Sequence, residues 1–177
     1  MTSSHPWKTW EHNFPPFFTL QPVQSTRNKQ ITSWGEIIKN YTKSKNISTI
    51  DLSCEIFKNN QINRSLSSND IISIFKQLSN LEVVKFCQSA LNSKDKVIVL
   101  WRPLSAWADL ILEFAVNNSL SIMTLFDIIG GDDTTGEPFY GQDEELVIGA
   151  LLLLQEKGKC ELMYNDADVV EGVKFFV

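Results

Sequence analysis

The same order of secondary-structure signals occurs twice in this 177-residue chain, and this repeat limits the possible folds more than any other feature. In the first half, apolar residues at helical spacing from Ile31 onward precede an alternating segment, residues 47–52, and Ser67 can cap a further helix. In the second half, Pro103 can begin a helix and Gly158 can end another. Each half closes with two short apolar segments typical of a β-hairpin. We therefore predict the order helix, strand and helix, helix, hairpin in both halves.

An offset of 76 residues aligns the two halves without a gap. Residues 26–101 hold 30 apolar residues and residues 102–177 hold 38, so about 15 coincidences are expected by chance, whereas 19 occur. The predicted pairs include Ile31 with Trp107, Ile38 with Phe114, Phe75 with Leu151, Leu78 with Leu154 and Val97 with Val173. Three helices, a hairpin and a short third strand make a winged helix. The predicted fold class is α+β and helix-rich, with two winged helices in tandem.

Charge is distributed unevenly between the two halves. Residues 1–101 hold 12 Lys and Arg against 7 Asp and Glu, a net charge of +5, whereas residues 102–177 hold 4 against 14, a net charge of −10. This change of sign indicates a domain boundary near Trp101 and different partners for the two halves. We divide the chain into an extended N-terminal segment, residues 1–24, a first winged helix, residues 25–101, and a second, residues 102–177.

The N-terminal segment contains the sequence NFPPFFTLQP at residues 13–22. Pro15 and Pro16 have fixed φ angles, and proline biases the preceding Phe14 towards extended backbone, so the segment is stiff. The rings of Phe17 and Phe18 follow directly. Such rings either form a hook for a neighbouring subunit or a strap over the chain's own first helix. We favour the hook, because several large apolar side chains on one short segment exceed what a strap over a small domain needs.

Nucleic-acid binding is the usual alternative for a winged helix. It requires Lys and Arg on the third helix and the wing to neutralise phosphates. The third helix of the first half carries one Lys, and its counterpart opens with acidic residues. Only Lys85, Lys94 and Lys96 on the first wing favour this alternative.

Catalytic and cofactor-binding patterns are not found in the sequence. The only histidines, His5 and His12, lie in the N-terminal segment, and no nucleophile motif or glycine-rich phosphate loop occurs. The acidic run at residues 130–145 does not fit the EF-hand template, so we interpret it as an exposed acidic loop. We expect no enzyme activity, no cofactor and no metal site. The longest strongly apolar stretch, residues 146–154, is too short to cross a bilayer.

Four stretches of the chain together resemble the small subunit of the endosomal sorting complex ESCRT-II. These are NFPPFFTLQP, FKNNQINRSL at residues 57–66, the Trp101–Arg102 junction and the closing GVKFF at residues 172–176. The resemblance implies a non-catalytic adaptor in multivesicular body sorting of ubiquitinated cargo. Two copies join one copy each of two larger winged-helix subunits, in the cytoplasm and on endosomal membranes reached through partners.

The resemblance also implies two binding sites. The first winged helix docks onto the larger subunits through its N-terminal motif, Phe14, Pro15, Pro16, Phe17 and Phe18. The second winged helix recruits the ESCRT-III subunit that nucleates polymerisation. Its acidic charge complements a basic helix of such a partner. Candidate residues for the second site are Thr124, Leu125, Tyr140, Asp143, Glu144 and Glu145, whereas Phe126 pairs with Ile50 in the repeat and is expected in the core.

Overall fold

A computed structural model describes residues 6–87 and 95–176 of the chain. Contacts divide the chain into two compact units, Met1–Trp101 and Arg102–Val177. Each unit has its own helices and its own three-stranded antiparallel sheet, as expected for a winged helix. Within the described residues, no helix is both long enough and apolar enough to cross a bilayer.

The first unit is built on one long helix. Its elements are α1 (Gln24–Lys45), β1 (Thr49–Asp51), β2 (Lys58–Asn59), β3 (Arg64–Ser65), α2 (Ser68–Asn80), β4 (Val84–Phe86) and β5 (Lys96–Val99). The left-handed Asn46 ends α1, and Ser67 caps α2 by accepting a 3.1 Å hydrogen bond from the Asp70 amide, as the sequence predicts. The strands pair in the order β1-β5-β4, so the predicted hairpin is confirmed in β4 and β5.

Between β1 and α2, the described residues of the first unit contain no α-helix, contrary to the prediction from the repeat. A short 3₁₀ turn, Glu55–Phe57, and the two-residue strands β2 and β3 take its place. Ile56 and Phe57 are fully buried, whereas the stretch between the strands is rich in asparagine and includes Asn63 in the left-handed region. Asparagine favours turns over helices, because its side chain competes for backbone hydrogen bonds.

The N-terminal segment is also not extended as predicted. It forms two 3₁₀ turns, Trp10–Asn13 and Pro15–Phe18, and the Phe17 amide donates a 2.9 Å hydrogen bond to the Phe14 carbonyl. Proline is compatible with the first positions of a helical turn, where no amide donor is needed. The pair Pro15 and Pro16 therefore begins a turn and does not prolong an extended chain.

The second unit repeats this arrangement. Its elements are α3 (Leu104–Asn117), β6 (Ile122–Thr124), α4 (Leu125–Gly130), α5 (Glu144–Glu156), β7 (Cys160–Tyr164) and β8 (Val170–Phe175). Pro103 precedes α3 and α4 ends at Gly130, both as predicted. The strands pair in the order β6-β8-β7, which matches the first sheet element for element.

The sequence offset between corresponding residues of the two units changes once along the chain. Ile50 corresponds to Met123, because Ile50 pairs with Val97 and Met123 with Val173 at the same place in the two sheets. The same offset matches two fully buried tryptophans, Trp34 and Trp107. These positions are offset by 73 residues in the numbering, not 76. The offset of 76 holds from the caps of α2 and α5 onward. The second unit therefore has three additional residues between its first strand and its last helix.

This shift makes the prediction for Phe126 wrong. Met123, not Phe126, occupies the place of Ile50 and is buried. Phe126 lies on the outer side of α4 and is 74% exposed, whereas its neighbours Leu125 and Ile128 are buried.

Candidate partner-binding surfaces

Four exposed apolar residues of the N-terminal segment make up a surface that we call the N-terminal face: Trp10, Phe14, Pro15 and Pro16. Trp10 is 72% exposed and Phe14 is 48% exposed, and their ring centroids lie 6.1 Å apart. Both prolines are exposed as well. Large aromatic rings exposed side by side mark an interaction site more often than isolated exposed apolar residues do.

The N-terminal face borders a groove of about 450 Å³. Its lining includes Trp10, Phe14, Pro16 and Phe17 of the N-terminal segment and Lys29 and Ser33 of α1. A hydrophobic side chain of a partner could enter this groove and contact its aromatic rings.

Phe17 and Phe18 do not belong to this face. Phe17 is 6% exposed and Phe18 is 3% exposed, and both contact Trp34 of α1. The Phe17 ring stacks on the Trp34 indole, and the Phe18 ring meets it edge-on at 5.7 Å. The expectation that these two rings project as a hook is wrong in this structure. The completely buried indole of Trp34 needs apolar cover, and these two rings supply it. Their assignment to partner binding remains a prediction.

A buried glutamine holds the backbone beneath the N-terminal face. Gln30 of α1 donates hydrogen bonds of 2.9 Å to the carbonyls of Phe17 and Thr19, and it accepts one of 3.1 Å from the Gln21 amide. The Gln21 side chain donates in turn to the Pro16 carbonyl at 2.9 Å. A buried polar side chain with all these partners fixes one backbone conformation.

His12 anchors the other end of the face. Its ring is 1% exposed, and Nε2 lies 2.8 Å from the Ile56 carbonyl oxygen. The Asn59 side chain donates to the His12 carbonyl at 2.6 Å. Burial lowers the pKa of His12 below its ordinary value of 6.5. Sequence reasoning considered His12 only as a catalytic candidate and missed Gln30 and Asn59. The one signal in the sequence was the place of Gln30, a polar residue, on the apolar face of α1.

The second unit exposes a different surface around the start of α4. Phe126 and Ile122 are 74% and 56% exposed. They line a groove of about 610 Å³ together with Asp127, Asp132 and Asp133, which we call the acidic groove. This surface combines two large apolar side chains with three carboxylates.

The register of α4 is fixed by a capping box at its start. The Thr124 hydroxyl accepts a 3.0 Å hydrogen bond from the Asp127 amide, and the Asp127 carboxylate accepts one of 2.9 Å from the Thr124 amide. Hydrogen bonds from the side chain and backbone of Thr124 lower the pKa of Asp127. This box places Phe126 outward and Leu125 inward.

The residues predicted for the second site are therefore only partly brought together. Thr124 is exposed beside the acidic groove, whereas Leu125 is 7% exposed, so the assumption that its side chain is open to a partner is wrong. Tyr140 is 37% exposed but does not line the groove. Asp143, Glu144 and Glu145 also lie outside it, and Asp143 caps α5 by accepting a hydrogen bond from the Glu145 amide.

The described residues carry few of the basic side chains that a winged helix needs to bind nucleic acid. The helix α2 carries Lys76 as its one basic residue, and α5 begins with two glutamates. Lys85 lies on β4 and Lys96 on β5, whereas Lys94 falls outside the described residues, as does His5.

The fold and these two surfaces define a tandem winged-helix protein with large aromatic side chains exposed in both units. The sequence profile of the ESCRT-II complex subunit family matches residues 11–143. Vacuolar protein-sorting-associated protein 25 of Xenopus laevis is 34% identical over 176 residues, which cover 94% of this chain and 97% of that protein. Its Arabidopsis thaliana counterpart is 36% identical over 169 residues, which cover 93% of each.

Solved structures agree with these relatives. The crystal structure of subunit VPS25 of the endosomal trafficking complex ESCRT-II superposes with a TM-score of 0.80 at 26% identity, over 92% of this chain and 96% of that one. A chain in the crystal structure of endosomal complex ESCRT-II (VPS22/VPS25/VPS36) superposes with a TM-score of 0.78 at 26% identity, over 93% of this chain and 96% of that one. The chain therefore belongs to the family of ESCRT-II complex subunits and functions in endosomal sorting as such a subunit.

Proposed function

We propose that this chain is a non-catalytic assembly subunit that docks onto two larger winged-helix ESCRT-II subunits through its N-terminal face. The observation that carries this proposal is the exposure of Trp10 and Phe14 on a backbone fixed by Pro15 and Pro16. The solved ESCRT-II complex that contains a similar chain also holds VPS22 and VPS36, which supports partners of this type.

The arrangement of the N-terminal face suits tight binding. The prolines and the Gln30 hydrogen bonds fix the backbone before a partner arrives, so little conformational entropy is lost on docking. Truncation of a buried aromatic anchor at an interface costs about 2–4 kcal/mol of binding free energy. In this proposal Trp10 and Phe14 are the anchors, and Phe17 and Phe18 support them from inside the first unit.

The domain roles follow from this assignment. Residues 1–24 supply the docking segment, residues 25–101 form the first winged helix that presents it, and residues 102–177 form the second winged helix. Two copies of the chain enter each complex. The complex works in the cytoplasm and reaches endosomal membranes through partners, since an acidic second half is repelled by an anionic lipid surface.

The second winged helix recruits the ESCRT-III nucleating subunit in this proposal. The acidic groove supports this role, because Phe126 and Ile122 offer apolar contacts beside three carboxylates. A basic amphipathic helix is the complementary partner for such a surface. Thr124 lies at the edge of the groove, whereas Tyr140, Glu144 and Glu145 could contact only parts of the partner that extend beyond it.

An affinity measurement tests the docking role. The full chain is titrated against a subcomplex of the VPS22 and VPS36 homologues. Trp10→Ala and Phe14→Ala are each expected to weaken binding by about thirtyfold or more, as loss of an anchor does. Leu81→Ala is the matched control, because Leu81 is 60% exposed in the same unit but outside the face. Equal affinity of all four proteins, with unchanged stability, would refute the proposal.

A further inference from the structure

The ring of His12 lies inside the first unit, directly behind the N-terminal face. His12 sits in the turn Trp10–Asn13, between the two exposed aromatic residues Trp10 and Phe14. Its own ring is surrounded by other aromatic rings: Trp7 at 5.2 Å, Phe18 at 5.3 Å and Trp34 at 6.3 Å between centroids. The side chain that anchors the exposed rings is therefore itself a titratable group in apolar surroundings.

Hydrogen bonds determine which nitrogen of this ring carries the proton. The Asn59 amide orientation is fixed, because its Oδ1 accepts a 3.0 Å hydrogen bond from the Gln61 amide and its Nδ2 donates to the His12 carbonyl. Nδ2 also lies 3.3 Å from His12 Nδ1. The proton lies on Nε2, because the Ile56 carbonyl at 2.8 Å can only accept a hydrogen bond. Nδ1 is then the unprotonated nitrogen, and it faces the Asn59 Nδ2 donor, which also lies 3.2 Å from Asn13 Oδ1.

Protonation of His12 would disrupt this arrangement. A second N–H on Nδ1 would point at the Asn59 donor, and a charged ring would lie in an apolar environment. The surrounding charges do not compensate. Lys8 raises the cost further, and Lys45 of α1 and Lys58 of β2 line the same pocket beside His12.

Two carboxylates lie near His12. The Glu55 side chain, which lines the pocket, accepts a hydrogen bond from the Tyr41 hydroxyl at 3.2 Å. Glu11, on the same turn as His12, lines the groove that borders the N-terminal face. Three lysines and Glu55 thus line the pocket beside a ring whose hydrogen-bond partners include no carboxylate.

We propose that His12 is a positioning residue that holds the N-terminal face in its binding conformation only while the ring is neutral, so that docking weakens in mildly acidic conditions. This inference rests on the proposed docking role of that face. The four residues of the face carry no titratable group, so the pH dependence proposed for docking comes from His12 behind them.

The direction of the pH effect on stability follows from the pKa of His12, which burial lowers in the folded chain. The stabilising contribution is complete above the unfolded value of 6.5, and it is lost as the pH falls from 6.5 towards the lower folded value. One additional proton bound by the unfolded segment changes the equilibrium by up to about tenfold per pH unit.

The first test uses the chain alone, in a His5→Gln background that leaves His12 as the one histidine. Its imidazole resonances are expected to titrate below pH 6.5. The equilibrium constant for unfolding is expected to increase up to about tenfold between pH 7.5 and pH 5.5. In Asn59→Asp a carboxylate replaces the donor beside Nδ1, so the pKa of His12 is expected to be higher than in the wild-type chain. Titration at or above the ordinary value in the unmodified site would overturn the inference.

The second test measures affinity for the VPS22 and VPS36 subcomplex at pH 7.5 and pH 5.5. His12→Gln is the comparison, because an amide can still donate to the Ile56 carbonyl but does not titrate. The wild-type chain is expected to lose up to about tenfold more affinity on acidification than His12→Gln. Equal losses would overturn the inference while leaving the docking role intact. Lack of binding at both pH values would instead refute the docking role, and the titration of the chain alone would still decide whether His12 holds the segment.

Discussion

The Phe17 ring lies nearly parallel to the Trp34 indole, with ring centroids 4.5 Å apart and planes inclined by 14°. This contact joins the N-terminal segment to the first helix of the first winged helix. It divides the aromatic residues of the segment into two groups with different roles. Phe17 and Phe18 complete the hydrophobic core, and Trp10 and Phe14 remain open to a partner.

The Phe17→Ala variant is expected to lose about 3–5 kcal/mol of unfolding free energy, because a buried ring is removed and a cavity remains over Trp34. Denaturant unfolding followed by tryptophan fluorescence measures this loss. Phe14→Ala serves as the control and should change the unfolding free energy by less than about 1 kcal/mol. If Phe17→Ala unfolds like the wild type, the stacked contact does not contribute as the structure indicates.

Two adjacent residues of α4 should respond in opposite ways to the same substitution. Leu125→Ala is expected to cost about 2–5 kcal/mol of stability, since Leu125 is buried. Phe126→Ala should leave stability almost unchanged and weaken binding to a peptide that contains the basic helix of the ESCRT-III subunit by about 2 kcal/mol. Calorimetric titration and thermal unfolding separate the two effects. Unchanged peptide affinity in Phe126→Ala would exclude the acidic groove as the contact.

Charge reversal should distinguish the groove from the start of α5. Asp132→Lys with Asp133→Lys is expected to slow association with that peptide by about tenfold at low salt, and the difference should shrink as salt is added. Glu144→Lys with Glu145→Lys, outside the groove, should have a smaller effect. Stopped-flow association rates at two salt concentrations measure both. Equal, salt-independent rates in all variants would contradict the electrostatic contribution.

The capping box of α4 should give acid-sensitive stability. Thr124→Ala removes the cap and is expected to cost about 1 kcal/mol near neutral pH. The Thr124 hydrogen bonds lower the pKa of Asp127 below 3.8, so their contribution is complete above 3.8 and is lost as the pH falls through the folded value.

The measurement compares the unfolding free energies of the wild type and Thr124→Ala at pH 7 and pH 3. The difference between them should be smaller at pH 3. In the Asp127→Asn background, which has no carboxyl group to titrate, the difference should not change with pH. A wild-type difference that also stays constant would contradict the assigned cause of the pKa shift.

Local signals in the sequence predict much of the fold correctly. Ser67 caps α2, Pro103 precedes α3, and the left-handed Gly158 follows α5 as expected from its lack of a side chain. Each of these features depends on a few neighbouring residues. The repeated order of elements adds the fold class, because two copies of one pattern require two similar units.

The errors arise where contacts distant in sequence decide the outcome. The sequence shows three aromatic rings in NFPPFFTLQP, but which of them cover Trp34 depends on the packing of the segment against α1. The three-residue shift between the units is invisible to a gapless comparison, and it reverses the burial of Phe126. The partners of His12, Asn59 and the Ile56 carbonyl, lie more than forty residues away in sequence.

The central claim is that the exposed ring of Phe14 contacts a larger ESCRT-II subunit. A photoreactive phenylalanine analogue at position 14 of the full chain tests it most directly, after assembly with the VPS22 and VPS36 homologues. The account predicts that irradiation joins this chain to VPS22 or VPS36 and that the same analogue at position 81, in place of Leu81, does not. Cross-links from position 14 that form only within this chain, in a complex shown to be assembled, would contradict it.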